Sequence, residues 1–243
     1  MSEDMNVDIL NEDGSLKSKE DFLEEMEALY DAIEQEVDES ALLTEDDCIG
    51  SNEVIDILSF KERVIWLTGE IVGATERSYG TSREIIEKII AWNIQDRGIN
   101  AEDRRPIHIL INSEGGDMME ALAIIDAIKS SKTPVYTHVI GEAYSAAFLI
   151  TLCGKKRFGT ENSTYLFHEG MAGFMGDAHK LNQAVQFYKN TLLRKTRKII
   201  LDNSKISEDA YEEHIKDDWF FDANEAAKLG VIDDINGGIF EWI

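Results

Sequence analysis

The chain is poor in cysteine, poor in proline and poor in basic charge. Two cysteines stand in 243 residues, Cys48 in an acidic stretch and Cys153 in an apolar one. Two cysteines so placed do not make a disulfide framework. No apolar run approaches the roughly 20 residues that span a bilayer. The start, MSEDMNVDIL, lacks the basic and apolar parts of a secretory signal. Basic residues number 24 against 48 acidic ones, for a formal net charge of −24. Such a balance argues against a nucleic acid or an anionic membrane surface as partner. Zinc-ligand spacing, a phosphate-cradling lysine loop and a dinucleotide fingerprint are all missing, and so are repeats and low-complexity tracts. The glycines of NSEGGD, without GxGxxG or GK[ST], give little support to nucleotide binding. The expectation is a cytoplasmic globular protein with no metal and no cofactor.

What is present divides in two. Residues 1–52 form an acidic N-terminal extension; 18 acidic and 2 basic residues precede Ile49. Within it, KEDFLEEMEALYDAIEQEV sets Phe22, Leu23, Met26, Leu29, Tyr30, Ile33 and Val37 along one helical stripe. The stripe is open to three readings: a solvated helix resting on its own domain, a removable propeptide, or a helix that docks a partner. Residues 53–243 read as the main domain. ERVIWLTGEIV, IHILINS and TPVYTHVIG are strands, and the apolar residues of IHILINS on both faces indicate a buried parallel sheet. Helices alternate with them: REIIEKIIAWNIQD, the helix that follows EGGD, AYSAAFLITLCG with Gly154 as its C-cap, and a long one from His179 to about Leu201. The class is α/β. Repeated strand–turn–helix units bring helix N-termini, with their unpaired N–H groups, to one edge of the sheet.

At that edge stand residues that can carry chemistry. Ser145, in GEAYSAAF, follows a strand and opens a very apolar helix. It is either an ordinary N-cap or a nucleophile. As a nucleophile it would leave the Ala146 N–H free for a developing oxyanion, with Gly115 or Gly116 of SEGGD supplying a second donor. Of five histidines, His108 and His138 lie within strands and read as packed residues, while His168 ends STYLFH beside a flexible turn, a good place for a general base. The acid is open on pattern alone: Asp217, Asp218, Asp222, Asp233 and Asp234 all qualify.

Taken together these segments resemble the Clp protease proteolytic subunit, over roughly Asp56 to Asp234. DILSFKERVIWLTGEI resembles the family's opening strand and ILINSEGGD its Gly-Gly oxyanion loop. GEAYSAAF resembles its nucleophile turn, YLFHEG its histidine, and DDWFFDANEAAKLGVID its acid-bearing segment. The resemblance implies a crotonase-like α/β superhelix and a serine endopeptidase. In it Ser145 is the nucleophile, His168 the base, Asp218 the orienting acid, and Gly116 and Ala146 the oxyanion donors. Ser145 Oγ is then expected within hydrogen-bond reach of His168. The segment from Gly170 through Met171, Ala172 and Gly173 resembles the extended strand that binds substrate backbone. The long helix resembles the handle that joins heptameric rings stacked in pairs, with an AAA+ unfoldase as possible partner and no cofactor of its own. Departures are Glu114 where proline is usual, Tyr144 where a small residue is usual, and HEG in place of HQP. His108, Leu110 and Ser130 stand where the family's unfoldase pockets carry aromatics. A phage-type head-maturation protease, a non-catalytic ring subunit and an acyl-CoA-handling crotonase are the competing readings.

Overall fold

A computed structural model of the chain describes residues 51–73, 81–170 and 172–235. The apolar stripe from Phe22 to Val37, most of the loop GATERSYGTS, and Met171 lie outside the described residues. The chain divides into two compact units, Met1–Leu58 and Ser59–Ile243, with the boundary inside helix α1 (Ser51–Lys61).

The second unit is built on strands rich in Ile, Val and Leu. β1 (Val64–Ile71), β2 (Ile107–Gly116) and β3 (Val135–Tyr144) run parallel side by side. Parallel strands covered on both faces have no polar side to alternate with, and β2 is accordingly buried without interruption from Ile107 to Ile111. β4 (Lys156–Gly159) and the short β7 (Asp234–Ile235) extend the sheet, also in parallel. Near its far end β3 turns to a second neighbour, β5 (Thr164–Phe167), which pairs antiparallel with β6 (Trp219–Asp222). The order is therefore β1-β2-β3-β4-β7, with β5 and β6 branching off β3.

The connecting helices bury stripes set by their sequence period. α2 (Thr81–Gln95) turns Ile85, Ile89 and Trp92 inward, and Trp92 meets Phe60 at 5.2 Å between ring centroids. α3 (Met118–Ser130) turns in Leu122, Ile125 and Ile128, and Asp117 caps it by accepting from Met119 N and Glu120 N at 2.7 and 3.1 Å. α4 (Ala146–Thr151) is buried on every side against β2 and β3. It is shorter than its apolar run suggests, because its C-cap is Leu152 and not Gly154. Gly154 is needed there for space: a Cβ on it would fall 2.5 Å from Thr137 Oγ1.

The long helix is interrupted. α5 (Ala178–Phe187) is followed by a π-helical turn, Tyr188–Leu192, and then by α6 (Leu193–Asn203). No residue of α5 is buried, whereas α6 buries Thr196, Ile199 and Ile200. Helix α7 (Glu208–His214) and helix α8 (Ala223–Lys228), the latter capped by Asp222, flank β6. Among the described residues no helix is long and apolar enough to cross a membrane.

Candidate active site

The C-terminal ends of β2 and β3 meet at a crowded turn. Ser145 sits there at φ 53°, ψ −116°, and its side chain makes no capping hydrogen bond to α4. A non-glycine residue in that region costs on the order of 1–3 kcal/mol and persists where its surroundings over-determine it. Here the Ser145 N–H donates to Leu166 O at 2.9 Å, tying the turn to β5. The ordinary N-cap reading of Ser145 therefore fails on geometry: an N-cap has extended backbone and accepts from the helix. A sharp strand-to-helix turn that presents a free Oγ is the arrangement of a nucleophile elbow.

Gly115 makes room for it. Gly115 has φ +99°, and a Cβ there would lie 2.7 Å from Tyr144 O, 2.9 Å from Ser145 Cβ and 3.0 Å from Ala146 N. Gly116, at φ +145°, presses instead on the backbone of Ile71 in β1. Ala146 is the first residue of α4 and fully buried, so its N–H has no acceptor within the helix.

His168 follows β5. Its Nδ1 lies 3.1 Å from Asp218 Oδ1, and the histidine side chain is 24% exposed against 63% for the aspartate. Beside a carboxylate, Nδ1 carries the proton and donates, which leaves the Nε2 lone pair as acceptor. That Nε2 atom is buried and has no hydrogen-bond partner. The structure thus brings His168 and Asp218 together but does not form the Ser145–His168 hydrogen bond expected from sequence. Such bonds are often long in ligand-free sites and tighten when substrate docks.

The other candidate acids have different work or none at the imidazole. Asp222 caps α8 through Glu225 N at 2.9 Å, and Asp233 pairs with Arg157 at 2.6 Å. Asp234 accepts from its neighbour Ile235 N, and the Asp217 backbone N–H donates to His214 O. His108 and His138 are buried and hydrogen-bond each other, Nδ1 to Nε2 at 3.0 Å.

Beyond His168 the sequence is glycine-rich. Gly170 has φ +83°, and neither it nor Gly173 would bring a Cβ within 4 Å of another group; Ala172 is exposed. The Glu169 N–H donates to Ile215 O at 3.2 Å, and the Glu169 carbonyl accepts from Tyr188 Oη at 3.2 Å. Neither the Tyr188 nor the Ile215 contact could be read from the sequence, since a bond to main chain leaves no residue pattern. Tyr144, one residue before Ser145, is held across the sheet by Thr164 Oγ1 at 2.9 Å and by the ring of Phe220. Among the described residues no group of three or more His, Cys, Asp or Glu side chains is placed to hold a metal ion.

A strained serine that opens a helix and an imidazole paired with a carboxylate are group types that acyl-transfer hydrolases use. The Clp protease family model matches residues 50–238. A proteolytic subunit of an ATP-dependent Clp protease from Streptococcus mutans is 33% identical over 180 residues, covering 72% of this chain and 85% of its own. Subunit 2 from Treponema pallidum is 31% identical, covering 76% and 88%, and subunit 1 from Rhodopirellula baltica 29%, covering 73% and 74%. The chain belongs to the Clp protease family, and it is a serine-type peptidase.

Proposed function

We propose that Ser145, His168 and Asp218 form the catalytic triad of a self-compartmentalising endopeptidase. The observation that carries this reading is the Ser145 backbone, strained at φ 53° with no capping bond to justify it. In the proposed reaction Ser145 Oγ attacks a peptide carbonyl carbon while its proton passes to His168 Nε2. The carbonyl oxygen becomes an oxyanion held by the N–H groups of Gly116 and Ala146. The C–N bond then breaks, and Nε2 returns the proton to the leaving amine. Water repeats the steps on the acyl-enzyme, with His168 taking its proton and Ser145 recovering its own. Asp218 accepts from Nδ1–H throughout and favours the imidazolium. Residues 170–173 bind substrate backbone as an added strand. No metal or cofactor enters this chemistry.

The active form is an assembly of copies, proposed as stacked heptameric rings in the cytoplasm. Phe174, Met175 and Phe187 are 40%, 100% and 56% exposed in the single chain, a density of large apolar surface that favours burial against another copy. The relatives' names include "ATP-dependent", which supports a partner ATPase of the AAA+ class as the source of any ATP use. Residues 1–52 are proposed as an extension outside the peptidase domain of residues 53–243. The test is labelling with a serine-directed fluorophosphonate, read together with native mass. The intact chain should be labelled once per subunit, in a multimeric species, and Ser145→Ala should not be labelled. Equal labelling of both sinks the nucleophile assignment, and a monomer sinks the ring.

A further inference from the structure

Among the described residues beyond His168, few contacts hold the chain. Gly170, Gly173 and Gly176 recur at short intervals, and a Cβ at Gly170 or Gly173 would touch nothing. Two hydrogen bonds fix the way out of the histidine. The Glu169 N–H, in the peptide that joins His168 to Glu169, donates to Ile215 O, at the end of the helix leading to Asp218. The Glu169 carbonyl, in the next peptide, accepts from the hydroxyl of Tyr188.

Tyr188 is set where it can do this by an irregular helix. The Leu193 N–H donates to Tyr188 O, five residues back, which makes the π turn. A π turn inserts one residue into an α-helix, is rare, and is frequently found at functional sites. The α5 helix before it buries nothing, so core packing does not fix the position of the helix on that side. Tyr188, the first residue of the turn, is half-buried. Its ring meets Phe174 edge-on at 5.9 Å and 70°, so the same side chain reaches the segment after Gly173. Burial, and the nearby Glu169 carboxylate, push its phenol above the ordinary value, and a protonated phenol is the donor that the Glu169 carbonyl requires.

We propose that Tyr188 is a positioning residue for His168: its hydroxyl fixes the Glu169–Gly170 peptide, so the π turn of the handle sets the imidazole and the start of the substrate-binding segment. This rests on His168 being the base of the proposed peptidase.

The test compares the full chain with Tyr188→Phe and Tyr188→Ala. The measurements are kcat and KM on a short fluorogenic peptide, the rate of fluorophosphonate labelling, and native mass. Tyr188→Phe keeps the ring and loses one hydrogen bond, so kcat and the labelling rate should fall about three- to tenfold. Native mass should stay as in the parent chain. If Tyr188→Phe restores everything that Tyr188→Ala loses, the hydroxyl has no positioning role and the proposal is wrong. It is equally wrong if Tyr188→Phe acts only by changing the native mass. A parent chain that takes no label and cleaves nothing overturns the proposed function itself. A labelled parent with an unaffected Tyr188→Phe overturns this inference alone.

Discussion

The two ends of strands β2 and β3 make opposite use of polar side chains. At the N-terminal end His108 and His138 are buried, joined Nδ1 to Nε2 at 3.0 Å, and packed among Tyr136 and Phe158; the His138 and Phe158 rings stack at 4.9 Å. At the C-terminal end Ser145 makes no capping bond, His168 Nε2 has no partner, and the backbone is forced to φ 53°. A buried polar atom left unpaired costs about 1–3 kcal/mol. The same sheet therefore pairs its buried imidazoles at one end and at the other leaves Ser145 without a capping bond and His168 Nε2 without a partner.

Replacing the reactive groups should sharpen that contrast most. Ser145→Ala and His168→Ala should each lower kcat about 10³-fold or more, with the fold intact. Ser145→Gly should be equally inactive and yet more stable by about 1 kcal/mol, since glycine adopts a positive φ without a clashing Cβ. Thermal unfolding of the two serine variants side by side checks it. If Ser145→Gly melts below Ser145→Ala, the backbone at this turn is not strained in solution.

Gly115→Ala comes next. Its Cβ would meet Tyr144 O at 2.7 Å and Ser145 Cβ at 2.9 Å, at a φ that side chains rarely adopt. Neither partner is the far end of a flexible side chain, so the turn must move. A displacement of about 1 Å is enough for a 100-fold loss of kcat. Turnover within twofold of the parent would mean that the turn has slack.

At the quiet end the probe is pH. Burial, then the nearby Arg105 charge, lowers the His108 pKa to about 4. Burial, then His108 itself, lowers that of His138 to about 3. The rings and side chains packed on the pair are Tyr136 and Phe158, with the Lys156 ammonium over the Tyr136 ring. Folded-state values below the unfolded value of about 6.5 mean that the unfolded chain binds more protons. The stabilisation is fully present above pH ~6.5 and is lost as pH falls towards ~4, by up to about 1.4 kcal/mol per pH unit for each imidazole. Urea midpoints of the parent and of His108→Gln, His138→Gln between pH 7 and pH 4 should converge as the pH drops. Parallel curves would show that the pair does not titrate on unfolding.

How much of this was legible beforehand differs between the same two ends. The period of apolar residues in IHILINS and TPVYTHVIG marked β2 and β3 as buried parallel strands, because burial on both faces is a property of composition. His108 and His138 read as packed residues for the same reason. At the other end pattern could locate Ser145 and His168 but could not separate Asp218 from four other aspartates. That choice depends on β5 and β6 pairing antiparallel, Phe167 opposite Trp219, which brings Asp218 beside His168. Pairing between segments some 50 residues apart is written in no local spacing. The π turn at Tyr188–Leu192 was equally invisible, because YKNTL has the composition of any helix. Gly154 misled as a helix cap, since a glycine needed for close approach to Thr137 looks the same as one needed for a turn.

The smallest effect concerns Tyr144, the bulky residue before the proposed nucleophile and, with Glu114, a departure that favours the non-catalytic ring subunit. Its position in the sheet answers the concern. Tyr144 is paired in register with Leu166 of β5, and Leu166 with Phe220 of β6, so the three lie in one row across the strands. Side chains in such a row share a face of the sheet, and the next residue along a strand leaves on the other. The Tyr144 hydroxyl is 2.9 Å from Thr164 Oγ1, and its ring meets Phe220 edge-on at 5.8 Å and 87°. The phenol is thus held along the sheet, and its hydroxyl is not aimed at His168 Nε2, which has no partner. Tyr144→Phe should cost no more than about 1 kcal/mol, the worth of one partly exposed hydrogen bond. It should leave kcat and KM on a short peptide unchanged. Tyr144→Ala, which also removes the contact with Phe220, should lose about another 0.5–1.5 kcal/mol and still cleave. If Tyr144→Ala instead raises kcat several-fold, the ring obstructs the serine after all, and the chain is a subunit held back by the residue before its own nucleophile.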